Sequence, residues 1–149
     1  MNHGIDTSFL ISAELAEHPD HGAVRARLAE LVAAGGRFSL APQVLAEFIH
    51  IATDERRFGK PLAMNEALRV AEQWWTAREI DHVFPTGEGA KLFLEWLQQH
   101  GLGRKRLLDT LLAATYHRAG IASILTLNAR DFSVFGCFHC MGPLVTSQS

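Results

Sequence analysis

Apolar positions along this chain switch between the spacing of helices and that of short strands. A short apolar stretch at His3–Ile5 reads as a strand. It turns at once into Asp6-Thr7-Ser8-Phe9-Leu10-Ile11, where three good N-cap residues in a row predict a helix start. A second helix is predicted from about Asp20 to Ala34, with Val24, Leu28, Leu31 and Val32 on one face and Gly35-Gly36 as its stop. Arg37–Leu40 reads as a strand, and Pro42 suits the first turn of a helix carrying Val44, Leu45, Phe48, Ile49 and Ile51. Gly59-Lys60-Pro61 breaks that segment. Next come a helix over Asn65–Ala77, a strand over Ile80–Phe84, and a helix capped by Thr86 that runs to about His100. After the Gly101-Leu102-Gly103 loop and the basic triplet Arg104-Lys105-Arg106, a helix from Leu107 to about Ala119 is apolar almost all round. A buried strand over Ser123–Leu127, a turn over Asn128–Phe132 and a last strand within Val134–Val145 complete the pattern.

Short strands that alternate with helices favour an α/β fold, a central short-stranded parallel sheet flanked by helices, over a helical bundle. The 149 residues show no internal repeat, low-complexity stretch or linker, so one domain spanning 1–149 is expected. Apolar residues make up 48% and charged residues 20%, which argues against a disordered chain. No apolar run approaches the length of a membrane span, and Met-Asn-His-Gly-Ile-Asp lacks the features of a signal peptide. A cytoplasmic location without membrane contact is the expectation. The net charge of −2 weakens a role as a nucleic-acid coat protein but leaves nucleases open.

Glu14, Glu17, Glu30, Glu66, Glu72, Glu88 and Glu95 fall where a solvated helix surface puts its carboxylates. Four other acidic residues fit less well. Glu47 shares a helix face with Val44 and Ile51, so it interrupts an apolar stripe. Asp109 lies in Leu107-Leu108-Asp109-Thr110-Leu111-Leu112, where its ordinary role would be a favourable charge in the first turn. Asp6 follows the first strand and Asp131 follows Ile124-Leu125-Thr126-Leu127; capping is the ordinary role of each. Together the four fall just beyond strand ends or on the adjoining helices, where parallel α/β folds build their sites. Carboxylates gathered there repel one another, and burial raises their pKa values. A divalent cation offsets both costs, and an all-oxygen donor set favours magnesium, or manganese in its place, over zinc. Such an ion activates water and neutralises charge on a phosphoryl group, so phosphodiester hydrolysis follows as the reaction class.

The segments Ile5-Asp6-Thr7-Ser8-Phe9-Leu10-Ile11, Leu45-Ala46-Glu47-Phe48, Asp109-Thr110-Leu111-Leu112-Ala113-Ala114-Thr115, His117-Arg118-Ala119-Gly120 and Thr126-Leu127-Asn128-Ala129-Arg130-Asp131-Phe132 span nearly the whole chain. In order and spacing they resemble the PIN-domain family, specifically the VapC-like toxins of toxin–antitoxin systems. The resemblance implies that Asp6, Glu47 and Asp109 form an acidic triad, with Asp131 as the fourth acidic position and Asn128 as a polar neighbour that could support it. It also implies a magnesium-dependent endoribonuclease acting on RNA, a homodimer, and inhibition by a small antitoxin protein.

Other residues admit two readings. Arg104, Lys105 and Arg106 oppose the dipole of the helix they precede, which leaves a grip on RNA phosphates as their role beside an ordinary wet loop. Thr7, Ser8 and Thr126 could orient metal-bound water or phosphate, but capping and strand packing are the simpler roles. Trp74, Trp75 and Trp96 could stack on bases, although helical spacing suits core or interface positions. Cys137 and Cys140 lack the second ligand pair of a structural zinc site and read as reduced thiols. Three alternatives have different tests. A DNA-directed nuclease could use the same carboxylates, and matched RNA and DNA substrates discriminate it. A non-catalytic module acting with an antitoxin on promoter DNA predicts no growth effect from Asp6→Ala. A receiver-like phospho-acceptor expects its acidic residues on strands, whereas Glu47 and Asp109 are read on helices.

Overall fold

Tyr116 ties the centre of the molecule together. A computed structural model describes residues 1–145, so the last residues of the domain expected over 1–149 lie outside the described residues. The Tyr116 ring is fully buried and its hydroxyl donates to the carbonyls of Ile5, at 2.7 Å, and Ser39, at 3.2 Å. Those carbonyls belong to β1 (Asn2–Ile5) and β2 (Arg37–Leu40), while Tyr116 sits on α6 (Leu107–Arg118). The ring can approach because residue 4 is glycine: a Cβ there would lie 2.8 Å from Tyr116 Cδ2.

The remaining strands are β3 (Ile80–His82), β4 (Ser123–Leu125) and β5 (His139–Met141). All pairings are parallel, and the spatial order is β3-β2-β1-β4-β5. Gly4 pairs with Ser39 on one side and with Ile124 on the other. A parallel sheet covered on both faces needs near-continuous burial, and every residue of β4 is buried. The helices are α1 (Thr7–Glu14), α2 (His21–Ala33), α3 (Pro42–Ala52), α4 (Met64–Thr76), α5 (Gly87–Gln99), α6 and α7 (Arg130–Ser133). The α/β class and the parallel, helix-flanked sheet expected from the pattern are both present. The chain runs outward from β1 to β2 and β3, then returns to place β4 on the other side of β1. The strand order therefore reverses between β1 and β4. The crevice beyond their carboxyl ends is where an open α/β sheet receives ligands.

Several boundaries differ from expectation for local reasons. β3 stops at His82, because its partner β2 ends at Leu40 and the last bond between them runs from Val83 N to Leu40 O. β4 stops at Leu125; Thr126 N still donates to Met141 O, but Leu127 N turns to the Ser8 hydroxyl. The predicted turn over Asn128–Phe132 tightens into α7, closed by Ser133 N on Ala129 O. The basic triplet forms one turn of 3-10 helix, Arg104–Arg106, instead of an open loop. Trp96 is buried and stacks on Phe135 at 4.3 Å between ring centroids, which is a core role. Glu14 is half-buried, not solvated: its carboxylate accepts from Trp74 Nε1 at 2.7 Å. Cys137 and Cys140 are free, half-buried thiols packed on the core.

Candidate active site

Asp6 occupies the N-cap of α1, immediately after β1, and its backbone N–H donates to Leu125 O of β4. The side chain is buried, and three donors converge on it. Thr7 N donates to Oδ1 at 2.9 Å, while the Ser8 and Thr126 hydroxyls donate to Oδ2 at 2.8 and 2.7 Å. Burial pushes the carboxyl above its ordinary pKa, and these bonds oppose the rise without cancelling it. A capping aspartate needs only the backbone bond. The two hydroxyls show that this one is held in a fixed orientation as well.

Glu47 is carried into the same region by α3, and the Thr7 hydroxyl donates to its Oε2 at 2.7 Å. Asp109 lies in the first turn of α6, where a helix-start charge belongs. That explanation is incomplete. Burial, then the charges of Asp6, Asp131 and Glu47, push the Asp109 carboxyl up to about 7, with Arg106 opposing. Asp6, Glu47 and Asp109 line one cavity of about 530 Å³, together with Thr7, Ser8, Leu127 and Asn128.

Asp131 stands one step back from this cavity. It lies on α7, near enough to raise Asp109, but the residues of this stretch that reach the wall are Leu127 and Asn128, just before α7. Asp131 is engaged by Arg106: the guanidinium donates to its backbone carbonyl, and Nε lies 3.8 Å from Oδ1. The basic triplet thus divides. Arg106 is half-buried and joins α6 to α7, while Arg104 and Lys105 are exposed; none of the three lines the cavity.

Sequence reasoning missed three wall residues. His18 follows α1, and Arg57 and Phe58 belong to the connection from α3 to α4; all three line the carboxylate cavity. Nothing in a linear pattern separates these from ordinary loop residues. The fold brings them in because the Glu17 carboxylate accepts from Gly59 N, at 3.1 Å, and Lys60 N, at 2.9 Å, binding the two connections to each other.

The donor set is carboxylate oxygen supported by hydroxyls, with His18 the one imidazole on the wall and no thiol among the lining residues, and it suits a hard cation. Among the described residues no three His, Cys, Asp or Glu side chains stand close enough to hold an ion entirely by themselves.

The fold and the acidic cavity at its strand-order reversal belong together, and the chain is a member of the PIN domain family, whose model matches residues 5–136. It is similar to ribonuclease VapC25 of Mycobacterium tuberculosis, 30% identical over 93% of this chain and 96% of that protein. Ribonuclease VapC31 of the same organism is 28% identical over the same shares. Among solved structures it resembles Mycobacterium tuberculosis VapC20, a Sarcin-Ricin loop cleaving toxin, with a TM-score of 0.69 and 22% identity over 92% of this chain and 96% of that one. VapBC2 from Rickettsia felis, bound to a DNA fragment from its promoter, superposes with a TM-score of 0.67 at 18% identity, over 96% of this chain and 99% of that one. These two structures establish the shared fold.

Proposed function

We propose that this chain is a magnesium-dependent endoribonuclease and the toxin of a toxin–antitoxin pair, a single nuclease domain over 1–149 that hydrolyses RNA phosphodiesters. The carrying observation is the cavity beyond β1 and β4 that Asp6, Glu47 and Asp109 line together, where burial and the neighbouring carboxylates push Asp109 up to about 7. A protein gains no stability from such a cluster, whereas a cation-dependent phosphodiesterase requires one. Asp6, Glu47 and Asp109 would hold the metal ion, with Asp131 behind Asp109 as the fourth carboxylate. Magnesium, or manganese in its place, supplies an activated water and charge neutralisation at the phosphoryl group when bound.

The protein's own part is orientation. Thr126, Ser8 and the Thr7 N–H fix both oxygens of Asp6, and the Thr7 hydroxyl fixes Glu47, so neither carboxylate must reorganise when substrate arrives. Asn128 offers a neutral polar group on the same wall. Arg104 and Lys105 are exposed beside the start of α6 and can meet RNA phosphates beyond the cavity.

The partners that follow are RNA, a cognate antitoxin protein and a second copy of the chain, in the cytoplasm. The similarity to VapC ribonucleases over nearly the whole chain supports the RNA substrate, and the likeness to VapBC complexes supports the antitoxin. No helix among the described residues is long and apolar enough to cross a membrane. A role as a non-catalytic module on DNA leaves the crowded carboxylates without a purpose.

The test incubates purified protein with total cellular RNA in magnesium and in EDTA, beside Asp109→Asn. Fragments that need both magnesium and Asp109 support the proposal, and matched RNA and DNA substrates separate it from a DNA-directed nuclease. Cleavage that survives EDTA or the substitution removes the proposed site.

A further inference from the structure

A cavity walled by three carboxylates repels the polyanion it is proposed to cut. Cation binding offsets that at the scissile phosphate, but an RNA chain brings a charge with every neighbouring nucleotide as well. Among the described residues that line the cavity, Arg57 is the one with a permanent positive charge. Beside it on the wall are His18 and the aromatic ring of Phe58, with Ile11 and Ile51.

These groups are held in place. The Asp54 carboxylate accepts from Arg56 N at 2.9 Å and lies 3.4 Å from Arg57 Nε, an exposed ion pair that draws the guanidinium towards Asp54 and leaves its other donors available. His18 Nδ1 accepts from Asp20 N at 3.0 Å, which places the proton of the neutral ring on Nε2 and makes that nitrogen a donor. Phe58 packs on the core by part of its surface while lining the cavity. Glu17 fastens the Arg57–Phe58 connection to the segment that carries His18.

We infer that His18, Arg57 and Phe58 form the subsite for a nucleotide adjoining the bond that is cut, with Arg57 on its phosphate, His18 donating to it, and Phe58 against the base. The inference rests on the reading of the carboxylate cavity as a ribonuclease site. It assigns phosphate binding to the α3–α4 connection, in addition to any contact made by Arg104 and Lys105. An aromatic face accepts any base, so the subsite contributes affinity more than sequence choice.

The experiment measures binding of a fluorescein-labelled, random-sequence 20-nucleotide RNA by fluorescence anisotropy, across a salt series in magnesium. It uses Asp109→Asn protein to prevent cleavage. Arg57→Gln is compared with Arg118→Gln, a charge removed from the far end of α6, and Phe58→Leu tests the aromatic face while keeping apolar bulk. Arg57→Gln should weaken binding about tenfold and flatten the slope of log Kd against log salt by about 0.7, one phosphate contact on a single strand. Phe58→Leu should weaken binding roughly fivefold with little change in slope. In the active protein Arg57→Gln should raise KM and leave kcat within about twofold. If Arg57→Gln and Arg118→Gln bind alike and share one salt slope, the subsite is wrong even where the protein cleaves RNA. If the Arg57→Gln losses appear but the wild type cleaves no RNA, RNA binding at this wall stands, while its place beside a scissile bond falls with the ribonuclease reading.

Discussion

The Thr7 hydroxyl donates to Glu47 Oε2 at 2.7 Å, joining the first turn of α1 to the middle of α3 across the acidic cavity. Thr7 is buried and Glu47 is half-buried, so the bond forms where water competes weakly. Thr7→Val keeps the shape of the side chain and removes the donor. We predict a loss of about 1 kcal/mol in urea unfolding, and a larger proportional loss in cleavage rate, because Glu47 is then free to leave its oriented position. Chemical denaturation and initial cleavage rates in saturating magnesium check both. Unchanged cleavage with reduced stability would confine Thr7 to a structural role.

Asp109 predicts a pH dependence whose sign is fixed. Its folded-state pKa of about 7 lies above the ordinary carboxylate value of 3.8, so the folded protein retains a proton that the unfolded chain releases. This stabilising contribution is fully present below the unfolded value and is lost as pH rises from about 4 through about 7. A shift of that size corresponds to about 4 kcal/mol in a fully dry site, and to roughly 1–2 kcal/mol once the partial exposure of this carboxyl is allowed for. In EDTA the protein should therefore melt lower at pH 8 than at pH 5.5. Asp109→Asn should melt higher than wild type at pH 8, show a smaller difference between the two pH values, and cleave no RNA. Magnesium should raise the wild-type Tm at pH 8 and raise that of Asp109→Asn less. Thermal melts at two pH values, with and without the ion, measure all of this.

Tyr116 permits a control for the fold apart from the site. Its hydroxyl serves two strand carbonyls in a dry interior. Tyr116→Phe leaves these without that donor, at an expected cost of about 1–3 kcal/mol. Gly4→Ala drives a methyl group into the same ring, with the nearest contact at 2.8 Å, and overpacking of this kind costs about 1–3 kcal/mol. Both variants should lose stability while kcat stays near wild type below their melting range. A loss of kcat from Tyr116→Phe larger than that from Thr7→Val would show that the β1–β2–α6 junction also sets the carboxylate geometry.

What could be read from the chain, and what could not, follows from the range of the interactions. Glu47 in an apolar stripe and Asp109 on a helix apolar all round are local anomalies, visible at spacings of three and four residues. Asp6 is marked by its place after the first strand. The parallel α/β class follows from the alternation of strands and helices, and with it the position of the site at the strand ends. Thr7, Ser8 and Thr126 were visible as hydroxyls near the site, but the carboxylate that each one holds was not. Thr126 meets Asp6 across 120 residues, and capping or packing accounts equally well for a threonine seen only in sequence. Arg57 was hidden for the same reason: its place on the wall depends on Glu17 binding a connection about 40 residues away. The Arg104–Arg106 run adjoins Asp109 in sequence but not the cavity in space, so any RNA phosphate it meets lies beyond the cavity wall.

That run gives a prediction in which its members behave differently. Arg106 is half-buried and bound to Asp131, so Arg106→Gln removes a charge-assisted bond to a backbone carbonyl and loosens α7 against α6. The expected cost is about 1–2 kcal/mol, with reduced cleavage as Asp131 shifts relative to Asp109. Arg104 and Lys105 are exposed, and replacing both with glutamine should leave the melting temperature within a degree or two. If they meet RNA phosphates, the double variant flattens the salt dependence of RNA binding by about 0.7 for each phosphate no longer neutralised. Melting curves and salt titrations on the two variants settle the division. Equal loss of stability in both would show that the 3-10 turn acts as one structural unit, whereas a salt effect from Arg106→Gln alone would return that residue to the RNA surface.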